Sequence, residues 1–337
     1  MKNVKRNTVL VLLIMVVVFY FVLKDDYRTI INNLLLTNKW YILFGIIFTF
    51  AYWFFKALCL HVIVKEYNPK VKFKRMFHQT MITQFFNGVT PFSTGGQPMQ
   101  VYMLKKSGIK IASATNIIVQ EFIMYQMALI VVGIFAIVAN LKFQFFTVSP
   151  ALKSLIILGF LINILVGVVL LFISFSKKFN DFVGKFIIKL GAKFKIIKDS
   201  EKIVAKWEEK LADFNDSAKL FKKKKMLFIK CFFFNLIALF LFYLVPYFVF
   251  MGLNSNLEIG PLEVVVSSAF ILIIGNFVPI PGGSGGIEYG FLQFFGSFAS
   301  GAFVSSALII WRFVTYYLGI IIGGISLGFF KGDENKT

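Results

Sequence analysis

Four ionisable residues stand inside strongly apolar sequence: Glu288, Arg312, Glu121 and Lys56. A charge placed in a membrane-spanning helix costs about 2.5 to 3.5 kcal/mol on insertion scales, so each needs a partner or a task. Glu288 follows Gly286, the last glycine of PIPGGSGG, by two residues, in the first turn of the helix that restarts there. It either caps that turn and offsets the helix dipole, or serves as a gate, a proton carrier or a contact to a cationic headgroup. Arg312, near the middle of the last apolar run, lies too deep to snorkel and calls for a carboxylate, Glu288 or Glu121, or for a phosphate. Glu121 sits about ten residues into its own run, near mid-membrane at about 1.5 Å per residue. A purely structural bridge from Glu121 to Arg312 is the alternative to a functional role. Lys56 has a simpler account, because its stem can reach an interface toward His61 and Lys65.

The backbone offers chemistry as well. Gly275 to Phe291 reads GNFVPIPGGSGGIEYGF, where Pro279, Pro281, Gly282, Gly283, Gly285 and Gly286 cannot continue a helix although Val264–Ile274 and Ile287–Phe298 flank them. A tight turn between two short helices is one account. A helix broken at membrane depth is the other, and it survives only where protein covers it or where it lines a polar cavity. Gln84 to Leu104, QFFNGVTPFSTGGQPMQVYML, repeats the design with Gly88, Pro91, Gly95, Gly96 and Pro98. Two interrupted segments in corresponding positions point to a transporter site built from discontinuous helices. Amides at Gly282, Gly283, Gly285 and Gly286, and at Gly95, Gly96 and Gln97, could form anion nests at half-helix N-termini. Glu288 opposes a phosphate there unless it is protonated or paired with Arg312. Asn87, Gln97, Gln100 and Asn276 flank the breaks and would offer neutral polar side chains to a substrate or a gate. No GxxxxGK[ST] occurs, which excludes a nucleotide P-loop.

The elements that must hold these residues follow from hydropathy. Of 337 residues, 58% are hydrophobic and 15% charged, which predicts an all-α integral membrane protein. Six spans are expected, at Thr8–Leu23, Trp40–Val64, Ile111–Val138, Ala151–Phe175, Met226–Leu253 and Phe298–Phe330. Re-entrant hairpins are expected at about 76–104 and 262–297. Residues 24–39 read as a short polar connection. Between 176 and 225, Phe179, Phe182, Val183, Phe186, Ile187 and Leu190 fall at helical spacing with lysines on other faces, predicting an amphipathic helix on an anionic membrane surface; a second is expected from Ile203 through Trp207 and Leu211 to Phe214. The net charge of +20 is assigned to cytoplasmic loops rather than to a nucleic-acid partner. With both termini cytoplasmic, 28 of the 36 Lys and Arg fall inside. Residues 1–175 then contain the first half of an inverted repeat and a fourth span, 176–225 form a cytoplasmic basic segment, and 226–337 complete the second half, its hairpin entering from outside. Cys59 and Cys231 lie far apart without a CxxC or Cys/His cluster, so neither a disulfide framework nor a zinc site is expected, and no cofactor is. Gly319 and Gly323 read as close helix packing.

The segments PIPGGSGGIEYG and NGVTPFSTGGQPMQVYMLKKSGI, with Arg312 in WRFVTYYLG, resemble the lysylphosphatidylglycerol synthase transmembrane family, which includes the flippase domain of the multiple peptide resistance factor. The resemblance covers essentially the whole chain. It implies movement of modified lipids such as aminoacylated phosphatidylglycerol between leaflets, and for stand-alone members an association with glycolipid or polyprenyl-linked pathways. Many relatives carry an acidic residue and an arginine in the first hairpin where this chain has Gln97 and Gln100. The soluble aminoacyl transferase domain is missing from the resemblance, so no enzymatic activity is expected. The expectation is a translocase for a phospholipid or glycolipid headgroup, acting on membrane lipids from a polar cavity between the two hairpins. Its rivals are a non-transporting subunit that recruits a glycosyltransferase or lipid synthase through 176–225, and an ion-coupled transporter of a small solute.

Overall fold

The structure, a computed structural model, describes residues 27–145, 149–176, 178–179, 181–182, 186, 224–254, 257–275, 278–299 and 301–330. All regular elements among these residues are helical. In chain order they are α1 (Tyr27–Leu36), α2 (Lys39–Lys65), α3 (Phe73–Gly88), α4 (Gly96–Lys105), α5 (Ile111–Phe143), α6 (Pro150–Phe175), α7 (Lys225–Tyr243), α8 (Val245–Leu253), α9 (Pro261–Gly275), α10 (Gly286–Phe295), α11 (Gly301–Arg312) and α12 (Leu318–Gly328). A π-helical turn, Phe313–Tyr317, joins α11 to α12.

Five stretches are long and apolar enough to cross a membrane: α2, α5, α6, α7 with α8, and α11 with α12. They coincide with five of the six expected spans, and the protein is a multi-pass, all-α membrane protein. The remaining span, Thr8–Leu23, lies outside the described residues, as do most of the amphipathic segment 176–225 and Asn276. Leu158, Leu161 and Leu165 on α6 are all more than half exposed, which suits a solvent of hydrocarbon rather than water.

Local chemistry sets the boundaries. Asn38 caps α2 by accepting the amide of Trp40 at 3.0 Å, and Ser149 caps α6 ahead of Pro150 at its first position. Pro246 has no amide to give to the preceding turn, so one span divides into α7 and α8. Residues 27–36, expected to be part of a polar connection, form helix α1 instead. Ile30 is buried, and Asn33 Nδ2 donates to Ser306 Oγ on α11 at 3.1 Å, so the segment docks on the last span instead of crossing open solvent.

The two proline- and glycine-rich clusters fold as helical hairpins. α3 packs against α4, and α9 against α10. The second hairpin is seated by stacked rings, with Phe250 and Phe295 centroids 4.9 Å apart and Phe291 against Trp311 at 4.9 Å. The first is seated by close backbone approach: a Cβ on Gly323 of α12 would fall 2.4 Å from the Met81 carbonyl on α3.

Candidate functional site

The turns at the hairpin tips, Pro91–Ser93 between α3 and α4 and Pro281–Gly283 between α9 and α10, are both single 3-10 turns, and they touch each other. Their backbones repeat. Thr90 and Ile280 enter extended, at φ −121° and −108°. Phe92 and Gly282 are then left-handed at φ 53° and 66°, as are Ser93 and Gly283 at 52° and 63°. The amides of Ser93 and Gly283 donate to the carbonyls of Thr90 and Ile280 at 3.2 and 3.0 Å. The hydroxyls of Thr94 and Ser284 donate to the carbonyls of Pro91 and Pro281 at 3.1 and 3.0 Å. Helices restart at Gly96 and Gly286, five residues beyond each proline.

The amides of these loops are largely used within the chain. Gly95 donates to Thr90 Oγ1 at 2.8 Å and Gly96 to Asn87 Oδ1 at 3.0 Å. Gly283 donates to the Ile280 carbonyl, and Gly285 to Glu288 Oε2 at 2.6 Å. Gly95, Gly96, Gly283 and Gly285, four of the seven residues whose amides were expected to form anion nests, thus bind within the chain, and Asn87 acts on the backbone of its own tip. Pro281 is buried in the turn, whereas Pro279 lies exposed before it.

The four intramembrane charges form two pairs. Arg312 Nη2 meets Glu288 Oε1 at 2.5 Å, and its Nη1 donates to the Gly282 carbonyl at 3.2 Å. The same Glu288 therefore caps its helix and neutralises the arginine. Lys56 pairs with Glu121 and donates to Asn235 Oδ1 at 2.9 Å, with its ammonium 4.4 Å from the centre of the Tyr125 ring. The Glu121 to Arg312 bridge does not form, because each residue already has a closer partner. Lys56 does not reach an interface; α2 is rotated so that it faces Glu121 on α5.

The last span reaches both tips. Arg312 grips the second through Gly282, and one helical turn on, Tyr316 Oη donates to the Gly88 carbonyl beside the first at 2.8 Å. Tyr316 belongs to the π turn that begins directly after Arg312, a departure from regular helix frequent at functional sites. A cavity of about 590 Å³ opens where these parts meet, lined by both tips, Lys56, Glu121, Arg312 and Tyr316. Gln97 and Gln100 line it from α4, and Thr80, Thr83, Gln84 and Asn87 from α3. Across from them, Gln126 Nε2 on α5 donates to Asn163 Oδ1 on α6 at 2.8 Å. Tyr316, Tyr125, Asn235, Gln126 and Asn163 were not singled out from the sequence. A search for uncharged polar residues inside the apolar runs would have found them.

Comparison with known proteins gives a consistent picture. The family model for the lysylphosphatidylglycerol synthase TM region matches residues 8–323. A protein of Archaeoglobus fulgidus described as a UPF0104 membrane protein is 23% identical over 283 residues, covering 83% of each chain. A Mycoplasma pneumoniae protein described as the uncharacterized MG306 homolog is 26% identical over 336 residues, covering 88% of this chain and 79% of that one.

Proposed function

The chain belongs to the lysylphosphatidylglycerol synthase transmembrane-region family, and from that membership we propose that it is a lipid translocase, moving the headgroup of a phospholipid or glycolipid between leaflets. The observation that carries this reading is the cavity at the junction of the two hairpin tips, which brings polar and charged side chains together inside a bundle whose outer faces are apolar. Discontinuous helices meeting at a central site are a recurring plan for alternating access. The headgroup occupies the cavity while its acyl tails stay in lipid. The two hairpins enter from opposite sides of the membrane, with the termini cytoplasmic, so that either tip can withdraw and open its own side. Arg312 couples the events: its guanidinium holds the second tip through Gly282 and Glu288.

The test is transbilayer movement of headgroup-labelled lipids in liposomes reconstituted with purified protein, beside Glu288→Gln and Arg312→Ala. Movement by the parent protein that both substitutions abolish, with both variants folded, is the expected result. Equal movement by both variants removes Glu288 and Arg312 from the mechanism, and stillness of every lipid removes the translocase.

A further inference from the structure

Resting on that translocase reading, we infer that the headgroup taken by this cavity is an uncharged polyhydroxyl group, the sugar of a glycosyl lipid. The first reason is the charge balance. Lys56, Glu121 and Arg312 are the ionised residues among the described lining, and each is already matched, the first two with each other and Arg312 with Glu288. Both cations are also backed by rings, Lys56 by Tyr125 at 4.4 Å and the Arg312 guanidinium by Tyr316 at 5.1 Å. An ammonium headgroup finds no free carboxylate here, and a lone phosphate meets no net positive charge, for although Arg312 Nε and Nη2 lack hydrogen-bond partners the guanidinium is neutralised by Glu288.

The second reason is what remains. The wall formed by Thr80, Thr83, Gln84, Asn87, Gln97 and Gln100 carries hydroxyls and amides and no charge. Gln97 Oε1 is buried without a hydrogen-bond partner, and Gln100 is buried against the same space. A carboxamide presents donors and an acceptor on one planar group, the match for sugar hydroxyls, which both give and accept. An unpartnered buried oxygen is costly, and a hydroxyl-bearing ligand would relieve it. The stacked rings of Phe122 and Tyr125, with centroids 6.3 Å apart and 14° between planes, also line the cavity and add aromatic surface for the C–H face of a pyranose. A site of this kind disfavours occupants that lack the hydroxyls, because Gln97 Oε1 is then left unpaired.

The experiment uses the full chain in liposomes containing trace radiolabelled glucosyl diacylglycerol, lysyl-phosphatidylglycerol or phosphatidylglycerol. Outer-leaflet lipid is quantified with membrane-impermeant periodate or a sulfonated amine reagent, and uptake of free glucose is a separate arm. The glucosyl lipid should move at least tenfold faster than either charged lipid. Gln97→Ala with Gln100→Ala should slow it at least tenfold while the variant stays monodisperse. The near-isosteric Gln97→Glu should raise movement of the lysyl lipid relative to the glucosyl one, since it supplies the missing carboxylate. Faster movement of either charged lipid by the parent protein overturns the sugar assignment and leaves the translocase standing. Stillness of all three lipids overturns both, whether or not free glucose is taken up. Unchanged selectivity in both glutamine variants also overturns the assignment.

Discussion

Lys56 and Glu121 present the same electrostatic problem as Arg312 and Glu288, yet the surroundings give the two pairs different consequences. Lys56 is held among Glu121, Asn235 and Tyr125, all on spanning helices. Removing one charge strands the other in a low dielectric, at a cost of about 3–5 kcal/mol, whereas removing both is close to neutral. Glu121→Gln should therefore lower the apparent Tm in detergent sharply, and Lys56→Met combined with Glu121→Leu should recover most of it. A double variant no more stable than the single would show that the pair does more than satisfy itself. Arg312 differs because it also grips the Gly282 carbonyl of a hairpin tip. Glu288→Gln with Arg312→Met should fold but remain without transport, so that stability and movement separate in a way they do not at Lys56. All four charges were legible in the sequence as residues in need of partners, since the penalty for a lone intramembrane charge depends on little else. The partner of Arg312 was narrowed to Glu288 or Glu121, but the choice between them and the partner of Lys56 were not legible, because they depend on how α2, α5, α10 and α11 are rotated about their axes, which local sequence does not encode.

The hairpins show the same limit at the level of elements. Prolines and glycines announced both breaks, because no other chemistry interrupts an apolar run so firmly. The repeated design was visible, but its residue-by-residue match was not: both tips read Pro-x-x-Ser/Thr-Gly-Gly, but Phe92 and Ser93 stand where the second tip has Gly282 and Gly283. The backbone is left-handed at all four positions, so the first tip carries strain that the second avoids. Phe92→Gly should raise the apparent Tm by the equivalent of about 0.5–1 kcal/mol, the steric relief being partly offset by glycine's greater freedom when unfolded. The opposite change is forbidden twice over at Gly282, where φ is 66° and a Cβ would lie 2.3 Å from the Tyr316 ring. Gly282→Ala should cost roughly 1–3 kcal/mol and should loosen the hold of the last span on the tip, seen as increased amide exchange across 278–290. An Ala variant with unaltered exchange would mean that the turn yields without disturbing its neighbours.

At the scale of the whole molecule, hydropathy was enough to find every described span, because the penalty for unpaired backbone in lipid leaves helices as the solution. Composition could not find α1, whose ten residues owe their order to docking on α11, nor the π turn after Arg312, where the helix adjusts to its neighbours. Residues 65–75 carry five Lys and Arg, while 254–260 carry none, and from the positive-inside rule we propose an orientation with the first segment in the cytoplasm and the second outside. Cysteine substitution can read it directly. With Cys59 and Cys231 replaced by Ala, Glu258→Cys should react with a membrane-impermeant maleimide in intact cells, whereas Lys70→Cys should react only after permeabilisation; both native side chains are exposed, so access is decided by the membrane alone. The reverse pattern would invert the molecule and exchange the sides to which the two hairpins open. Labelling of both sites in intact cells would place residues 70 and 258 on one side, and the two hairpins would then enter from the same face, removing the inverted arrangement on which alternating access by the two tips depends.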